Sequence, residues 1–216
     1  MTGKTAALAI YDFDGTMIDG DSIAAYLMFA WRRGCLSLPG LLRAAVCGLL
    51  QRLGRLTAER AKGQALRFRQ RMTPEAREAL DDAFADRLMA KLRPAAVRQM
   101  AADCATGRVM VLLSASTDNY MVPLNRRLGF DLLVCTREED LERAGTNCRG
   151  PEKVRRLREA LAERGLAADW PQSQAYADSA SDGPVLGLVG HPVLVCPGRR
   201  TLRKLGKQYP TEDWKR

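Results

Sequence analysis

The segment AALAIYDFDGT, residues 6–16, joins an apolar run to a pair of carboxylates. Residues 7–11 have the composition of a buried β-strand, and Asp12 and Asp14 follow where that strand is predicted to end. Ligands of open α/β sheets bind beyond the carboxyl ends of the strands, so these side chains are predicted to face a ligand. Two carboxylates this close repel each other unless a cation or a proton lies between them. The pattern predicts a cation-dependent site, although Asp14-Gly15 alone is also an ordinary turn pair.

Three later segments carry polar residues at the ends of predicted strands or at the start of a helix: VLLSAS (111–116), NCRGPEKVRRL (147–157) and AYADSASD (175–182). Their candidate functional residues are Ser114, Lys153, Asp178 and Asp182. Together with DFDGT, and in this order, the segments resemble the four motifs of the haloacid dehalogenase (HAD) superfamily of Mg²⁺-dependent phosphatases. The motifs span nearly the whole chain, so the resemblance covers the complete predicted site.

The resemblance implies a role for each acidic residue. Asp12 would attack phosphorus and form an aspartyl-phosphate, which divides one difficult reaction into two steps. Asp14 would protonate the leaving alkoxide and then activate the water that hydrolyses the intermediate. Asp178, with Asp12 and the backbone carbonyl of Asp14, would hold Mg²⁺ through oxygen ligands. Asp182 would support the coordination shell of the metal.

Two further residues are expected to bind the phosphoryl group. Ser114 would donate its hydroxyl from a strand end, and Lys153 would add positive charge that also balances the two acidic residues of DFDGT. One position departs from the family pattern, because Ala177 stands where the fourth motif normally has glycine. Its methyl group could crowd the metal loop, but the carboxylates are intact and activity is expected to survive.

The distribution of elements predicts the architecture. From about residue 93 onward, strand-like and helical segments alternate, which favours a doubly wound parallel sheet of the α/β class. Residues 23–92 lack strand-like alternation, and apolar residues recur there at helical spacing: Leu38, Leu42, Ala45, Leu49, Leu53 and Leu56. A helical insertion directly after the first strand indicates a cap domain of the C1 type. The predicted division is a Rossmann-like HAD core at residues 1–20 and 93–216 and an all-helical cap at residues 21–92.

The charge of the chain is concentrated in the predicted cap. The 216 residues contain 34 Lys and Arg against 25 Asp and Glu, a net charge of +9. Residues 32–71 contain ten basic residues and one acidic residue, which equals the whole excess. Such a run can be a solvated helix face, can steer anionic substrates into the cleft, or can dock on anionic lipid.

A helical insertion after the first motif is typical of subfamily IB of the superfamily, the phosphoserine phosphatase-like branch. Phosphoserine phosphatases carry an acidic residue nine positions after the nucleophile, and Asp21 stands there in this chain. They also direct a cap arginine at the substrate carboxylate, which makes Arg60 and Arg67 specificity candidates. The surrounding phrase AERAKGQALRFRQRM does not match the family spacing, so phosphoserine is not established as the substrate.

Three functions remain open at this stage. The first is hydrolysis of a small phosphorylated metabolite. The alternative is hydrolysis of a lipid phosphate similar to phosphatidylglycerophosphate, by a protein docked on an anionic membrane through its basic cap. The third, a nucleic-acid-binding module on a phosphatase fold, is disfavoured because only 6% of the residues are aromatic and few could stack on bases.

The six cysteines are scattered without a CxxC pair, and His191 is the single histidine. This usage is typical of reduced thiols in a cytosolic protein rather than of a soft-metal site. The first apolar run is too short for a signal peptide, and arginines interrupt the apolar region that follows. We expect a cytoplasmic protein, with peripheral contact to the inner face of the membrane as the alternative. No sequence feature indicates the oligomeric state.

Overall fold

The structure is a computed structural model and describes residues 4–139 and 146–215. The strands are β1 (Lys4–Ala6), β2 (Leu8–Tyr11), β3 (Val109–Thr117), β4 (Leu132–Thr136), β5 (Leu166–Ala168), β6 (Gln174–Ala177), β7 (His191–Val195) and β8 (Thr211–Glu212). The helices are α1 (Ser22–Arg32), α2 (Leu38–Arg52), α3 (Ala58–Leu66), α4 (Pro74–Met89), α5 (Pro94–Ala105), α6 (Asp118–Leu128), α7 (Pro151–Glu163), α8 (Gly183–Leu186) and α9 (Arg199–Leu205). Two 3₁₀ helices span Arg67–Arg71 and Ala180–Asp182.

Six strands form one parallel sheet in the order β4-β3-β2-β6-β7-β8, and β1 pairs separately with β5. Strand β2 is central, with β3 on one side and β6 on the other. The strand order therefore reverses direction at β2, which places a topological switch point beside its carboxyl end. This arrangement confirms the predicted parallel α/β core and locates the crevice where ligands bind in such sheets.

The central strand is buried on both faces, as its continuous apolar run predicted. Leu8 and Ile10 pack in one apolar cluster with Leu157 of α7. Ala9 and Tyr11 pack in a second cluster that extends to the helices between β2 and α5. Because alternate side chains of a strand point to opposite faces, one short strand is anchored in both layers of the core. The residues that follow β2 are therefore held rigidly.

Helices α1 to α4 lie between β2 and α5 in the chain, within the segment predicted to be helical. Three aromatic rings connect this helical insertion to α6: Tyr26 of α1, Phe84 of α4 and Tyr120 of α6. Their ring centroids lie 5.1 Å apart for Tyr26 and Phe84, and 5.2 Å apart for each of the other two pairs. Such spacing is typical of favourable aromatic pairs, which stabilise the contact between the insertion and the α/β layers.

Local signals in the sequence explain several element ends. Thr73 caps α4, because its Oγ1 accepts a hydrogen bond from the backbone N–H of Ala76 at 3.3 Å, and Pro74 is the first helical residue. Gly129 ends α6 with a φ of 76°, a conformation that favours glycine. Both helix ends were predicted from these residues.

Other boundaries differ from the predicted ones. Strand β3 continues to Thr117, three residues beyond its predicted end, because Thr117 pairs with Thr136 after a shift in register. Strands β1 and β8 have only three and two residues and were too short to show a periodic pattern. The polar segment predicted at residues 137–149 lies partly outside the described residues. Among the described helices, none combines the length and the apolar composition needed to span a membrane.

Candidate active site

The four motifs meet at one edge of the sheet. Asp12 directly follows β2, and its backbone N–H donates to the carbonyl of Tyr176 in β6 at 2.9 Å. Asp178 directly follows β6, Ser114 lies in the second half of β3, and Lys153 lies in the first turn of α7. These four residues line a single cavity of about 1020 Å³. The parallel sheet thus converts four distant sequence segments into one site.

Lys153 connects two of the acidic residues. Its Nζ lies 2.7 Å from Oδ1 of Asp12 and 2.7 Å from Oδ1 of Asp182. Asp182 also accepts a hydrogen bond from Ser179 Oγ at 2.7 Å, and Thr16 Oγ1 donates to Oδ2 of Asp12 at 3.3 Å. Burial opposes the charged form of Lys153, but the two carboxylates outweigh it and raise the pKa of this side chain. The lysine is therefore a fixed positive charge beside Asp12.

Among the described residues, Asp12, Asp178 and Asp182 each offer a carboxylate oxygen within 4.8 Å of the others. Burial raises the pKa of Asp12, against the opposing effect of Lys153. Burial, followed by repulsion from Asp182, raises the pKa of Asp178 to about 6. These anions are close together and only partly neutralised, so a cation would stabilise them. The ligands are hard oxygen atoms, and the donor set therefore fits Mg²⁺.

The carboxylate of Asp14 points to different partners. Its Oδ1 accepts the backbone N–H of Ser22 at 2.7 Å, and its Oδ2 accepts the hydroxyls of Ser22 at 3.0 Å and Ser116 at 2.5 Å. Burial raises the pKa of Asp14, while these hydrogen bonds oppose the shift. Ser22 begins α1 and Ser116 lies near the end of β3, so the helical insertion and the sheet position Asp14 together. Neither serine was predicted as a site residue, because neither lies in a recognisable spacing.

Ser114 is almost completely buried, with 1% of its surface exposed. Its Oγ accepts the backbone N–H of Ser116 at 3.0 Å, which leaves the hydroxyl proton for another acceptor. Because Ser114 lines the cavity with Asp12 and Lys153, a ligand oxygen in the cavity is a suitable acceptor. The phosphoryl contact of Ser114 stays a prediction.

The helical insertion contributes a lysine to the cavity. Lys62 of α3 donates from Nζ to the carbonyl of Ala115 at 2.6 Å and to Oδ1 of Asn147 at 2.9 Å. On the same helix, Glu59 Oε1 accepts the backbone N–H of Asn147 at 3.4 Å. Burial lowers the pKa of Lys62. Lys62 therefore connects the insertion to the sheet while its ammonium group faces the residues around Ser114.

In the sequence, Lys62 stood out only as one member of the basic run at residues 32–71. A usable signal was nevertheless present in α3, where Ala58 and Ala65 stand four and three positions from Lys62 and share its face. Ala61 and Ala65 are buried and line the cavity. A lysine within a stripe of buried small residues indicates a side chain directed at an anionic or polar site.

Comparison with known proteins defines the family. A family model for haloacid dehalogenase-like hydrolases matches residues 9–187, which include all four motifs. The chain belongs to the haloacid dehalogenase-like hydrolases. The resemblance seen in the motifs is thereby confirmed, and the protein is a hydrolase with the HAD fold.

Two curated relatives illustrate the range of similarity. Protein CicA of Caulobacter vibrioides is 34% identical over 201 residues, which cover 86% of this chain and 84% of that protein. A probable phosphatase of Mycobacterium tuberculosis is 27% identical over 224 residues, which cover 98% of this chain and 75% of that protein. The similarity thus extends well beyond the motif segments.

Solved structures agree with this assignment. A Bordetella pertussis Tohama I protein of unknown function has a TM-score of 0.84 at 25% identity and covers 99% of this chain and 100% of its own. A phosphoserine phosphatase solved as a phospho-aspartyl intermediate analogue has a TM-score of 0.57 at 14% identity, with 99% of this chain and 95% of that chain covered. The second likeness shows a shared HAD fold with a helical cap.

Of the three candidates for substrate specificity in this HAD fold, one lies at the cavity and two lie at the surface. Asp21 lines the cavity, but its Oδ1 also caps α1 by accepting the backbone N–H groups of Ile23 at 3.0 Å and Ala24 at 3.2 Å. Arg60 and Arg67 are exposed and lie outside the residues that line the cavity. The structure therefore brings Asp21 to the site and leaves these two arginines at the surface.

Arg69, the next arginine along the chain, is structural. Its Nη1 and Nη2 donate to the two carboxylate oxygens of Asp81 at 2.7 and 2.8 Å, and its Nε donates to Glu138 at 2.7 Å. Tyr26 completes this buried network by donating to Asp81 and accepting from Arg69. The arginine therefore neutralises a buried carboxylate of α4 instead of facing the cavity.

Ala177 does not crowd the loop that carries Asp178 and Asp182. The residue is the last of β6 and is buried in an apolar cluster with Leu8, Ile10 and Leu186. It does not belong to the residues that line the cavity. The methyl group that replaces the usual HAD glycine therefore packs in the core, and the carboxylates of Asp178 and Asp182 remain beside Asp12.

Proposed function

We propose that this HAD hydrolase is a Mg²⁺-dependent phosphatase that hydrolyses phosphate monoesters through an aspartyl-phosphate on Asp12. The observation that carries the proposal is the pair of 2.7 Å contacts from Lys153 to Asp12 and Asp182, at the edge where Asp178 ends β6. A phosphate monoester repels an anionic nucleophile, so its hydrolysis needs positive charge beside the attacking carboxylate. Lys153 provides that charge inside a buried site.

In the first step, the carboxylate of Asp12 attacks phosphorus, and the bond from phosphorus to the ester oxygen breaks. The carboxyl group of Asp14 gives its proton to the departing alkoxide, which leaves as an alcohol. In the second step, Asp14 takes a proton from water while the water oxygen attacks phosphorus. The phosphorus–Asp12 bond then breaks, inorganic phosphate leaves, and both carboxyl groups return to their starting states.

The surrounding residues stabilise the charge of the phosphoryl group. Ser114 donates its hydroxyl and Lys153 its ammonium protons to phosphoryl oxygens. Asp12, Asp178 and the backbone carbonyl of Asp14 would hold Mg²⁺, which would supply further positive charge. Asp182 orients Lys153 and supports the metal shell. The hydrogen bonds from Ser22 and Ser116 hold Asp14 in position for proton transfer.

We propose that residues 21–92 form the cap and that residues 1–20 and 93–216 form the core. The cavity is lined from both parts, because α1, α2 and α3 contribute residues opposite the motif residues. Lys62 is then a basic residue of the cap that lines the cavity and could contact a second anionic group of a small phosphorylated metabolite. Asp21 lines the same cavity and is a partner for a positively charged substrate group.

A second candidate is hydrolysis of a lipid phosphate. The observation in its favour is the apolar lining contributed by α1 and α2, where Leu27, Met28, Leu41 and Leu49 lie along the cavity. Acyl chains would contact these side chains while the phosphate reaches Asp12. A soluble metabolite would need fewer apolar contacts of this kind.

We also propose a cytoplasmic location. All six cysteines are free in the structure, including the fully buried Cys148. Free thiols in this number are typical of a reducing compartment.

The function is tested by measuring phosphate release with Mg²⁺ from phosphoserine, sugar phosphates, nucleotides and short-chain phosphatidylglycerophosphate. Asp12→Asn should abolish release from every substrate that the wild type hydrolyses, whereas Asp86→Asn, at an exposed site on α4, should retain it. Mass spectrometry of acid-quenched reactions should find one phosphoryl group on the wild type and none on Asp12→Asn. Equal turnover by wild type and Asp12→Asn would remove Asp12 from the mechanism.

A further inference from the structure

Helix α2 turns an apolar face to solvent. Five large apolar side chains of the helix and its C-cap residue are each 54–61% exposed: Leu38, Leu42, Val46, Leu49 and Leu53. At about 100° per residue, these five positions fall within an arc of about 80° on the helix surface. We call them the leucine stripe. Ala44, the one buried residue of α2, lies on the opposite side of the helix. The helix therefore packs on the protein through the side that carries Ala44 and the partly buried Leu41, and leaves its larger apolar face uncovered.

Positive charge borders the leucine stripe. On the helix surface, Arg52 lies about 40° from one edge of the stripe and Arg43 about 60° from the other. Arg33 precedes the helix and Arg55 follows it, and all four arginines are exposed. The chain contains no acidic residue between Asp21 and Glu59. An apolar stripe edged by cations, without a nearby carboxylate on the same helix, is typical of helices that lie in a membrane interface.

We propose that the leucine stripe docks on an anionic lipid surface, with α2 parallel to the membrane plane. Charge complementarity selects this occupant: the flanking arginines meet anionic headgroups while the stripe enters the boundary with the acyl chains. A second copy of the chain is a poorer match, because a symmetric contact through the stripe brings the arginines of both copies together. Docking requires no catalysis and is therefore independent of the proposed reaction.

Docking would also orient the cavity. Leu49 and Arg52 belong both to the docking helix and to the lining of the cavity that contains Asp12. A membrane seated on α2 therefore lies beside the cavity entrance formed by these residues. This consequence rests on the proposed function and favours its second candidate, a lipid phosphate, because the substrate would reach the site from the membrane surface.

The test is co-sedimentation of the full chain with vesicles of phosphatidylcholine containing increasing fractions of phosphatidylglycerol. Binding should rise with the anionic fraction and fall at high salt. The stripe variant Leu42→Gln/Val46→Gln should lose binding to the level of phosphatidylcholine vesicles. Its matched control, Val97→Gln/Leu202→Gln, changes one valine and one leucine that are 47% and 43% exposed on α5 and α9, and should bind like the wild type.

Two double arginine variants separate the electrostatic contribution to vesicle binding from the apolar contribution of the leucine stripe. Arg43→Gln/Arg55→Gln should weaken binding about fivefold for each arginine removed. Arg98→Gln/Arg200→Gln removes the same charge from exposed positions elsewhere and should weaken binding less. None of the substituted residues lines the cavity, so turnover of p-nitrophenyl phosphate without vesicles reports whether each variant is folded.

Several outcomes would overturn the proposal. Equally weak binding of the wild type to neutral and anionic vesicles would do so, as would equal binding by the stripe variant and its control. A wild-type dimer in light scattering that Leu42→Gln/Val46→Gln converts to a monomer, without vesicle binding, would assign the stripe to a second copy of the chain. The sedimentation assay contains no substrate, so its failure leaves the proposed phosphatase function untouched.

Discussion

A methyl group at Gly15 would lie 2.5 Å from Oδ2 of Asp178, closer than these atoms can approach. The backbone of Gly15 also has a φ of 78°, which disfavours side chains. The turn after Asp12 therefore packs directly against the carboxylate that ends the neighbouring strand. Glycine is required at this position both for the backbone conformation and for the approach of Asp178.

Gly15→Ala should displace Asp178 and reduce kcat by about 100-fold, the size of effect expected from a shift of about 1 Å in a catalytic site. Gly129→Ala is the matched control, because Gly129 has nearly the same φ, 76°, and no atom within 4 Å of the added methyl group. Both variants should lose about 1 kcal/mol of stability. Equal kcat values in the two variants would contradict the contact argument.

Chelation should abolish activity, and added Mg²⁺ should restore it. Asp178→Asn should need a much higher Mg²⁺ concentration for half-maximal phosphate release, because an amide oxygen replaces an anionic ligand. Asp82→Asn, on the surface of α4, should need the same concentration as the wild type. The measurement is phosphate release against free Mg²⁺. Full activity of the wild type in excess EDTA would exclude the metal assignment.

Lys62→Met should raise KM for a substrate with a second anionic group by about 10-fold or more, since a buried charged contact is lost. The KM for p-nitrophenyl phosphate should change less, because that substrate has no second anion. Arg60→Met, two residues earlier on α3 and exposed, is the control and should leave both KM values unchanged. Equal changes in KM for the two substrates would show that Lys62 only holds α3 against the sheet.

Arg69→Leu should destabilise the protein by about 3–5 kcal/mol, because it leaves the carboxylate of Asp81 buried without a cation. Arg67 begins the same 3₁₀ helix but is exposed. Arg67→Leu should therefore change the free energy of unfolding by less than about 0.5 kcal/mol. Urea unfolding monitored by circular dichroism gives both values. A stability loss as large in Arg67→Leu would show that the effect does not arise from the buried ion pair.

Glu152, in the first turn of α7 before Lys153, should make stability depend on pH. The hydrogen bond from Arg155 lowers the pKa of Glu152 from 4.5 to about 2. A carboxylate whose pKa is lower in the folded chain than in the unfolded chain stabilises the fold at pH values above its unfolded pKa. This stabilisation is lost as the pH falls towards the folded pKa. The wild type should exceed Glu152→Gln in stability by a constant amount above pH 4.5, and by a shrinking amount between 4.5 and about 2. A pH-independent difference would contradict this linkage.

The order of elements could be predicted because its signals are local, whereas the candidate residues after DFDGT were identified through their joint occurrence in the order of the HAD motifs. The apolar run before Asp12 makes a buried strand wherever it lies, and Thr73-Pro74 begins a helix through its own backbone chemistry. Motif residues such as Asp178 and Lys153 stand at strand and helix ends that these local patterns define. A parallel sheet then gathers those ends at one edge, whatever the connections between them.

Other features depended on packing between distant segments. Lys62 contacts Ala115, 53 positions away, and the small residues near it on α3 indicate a buried helix face without indicating which distant segment covers that face. The leucines of α2 showed helical spacing in the sequence, but spacing records only that a helix has an apolar face. Whether protein or solvent covers that face depends on where the other elements pack, and in this fold α2 contributes only Ala44 to the fully buried core. Periodicity is a property of one helix, whereas burial is a property of the whole tertiary structure.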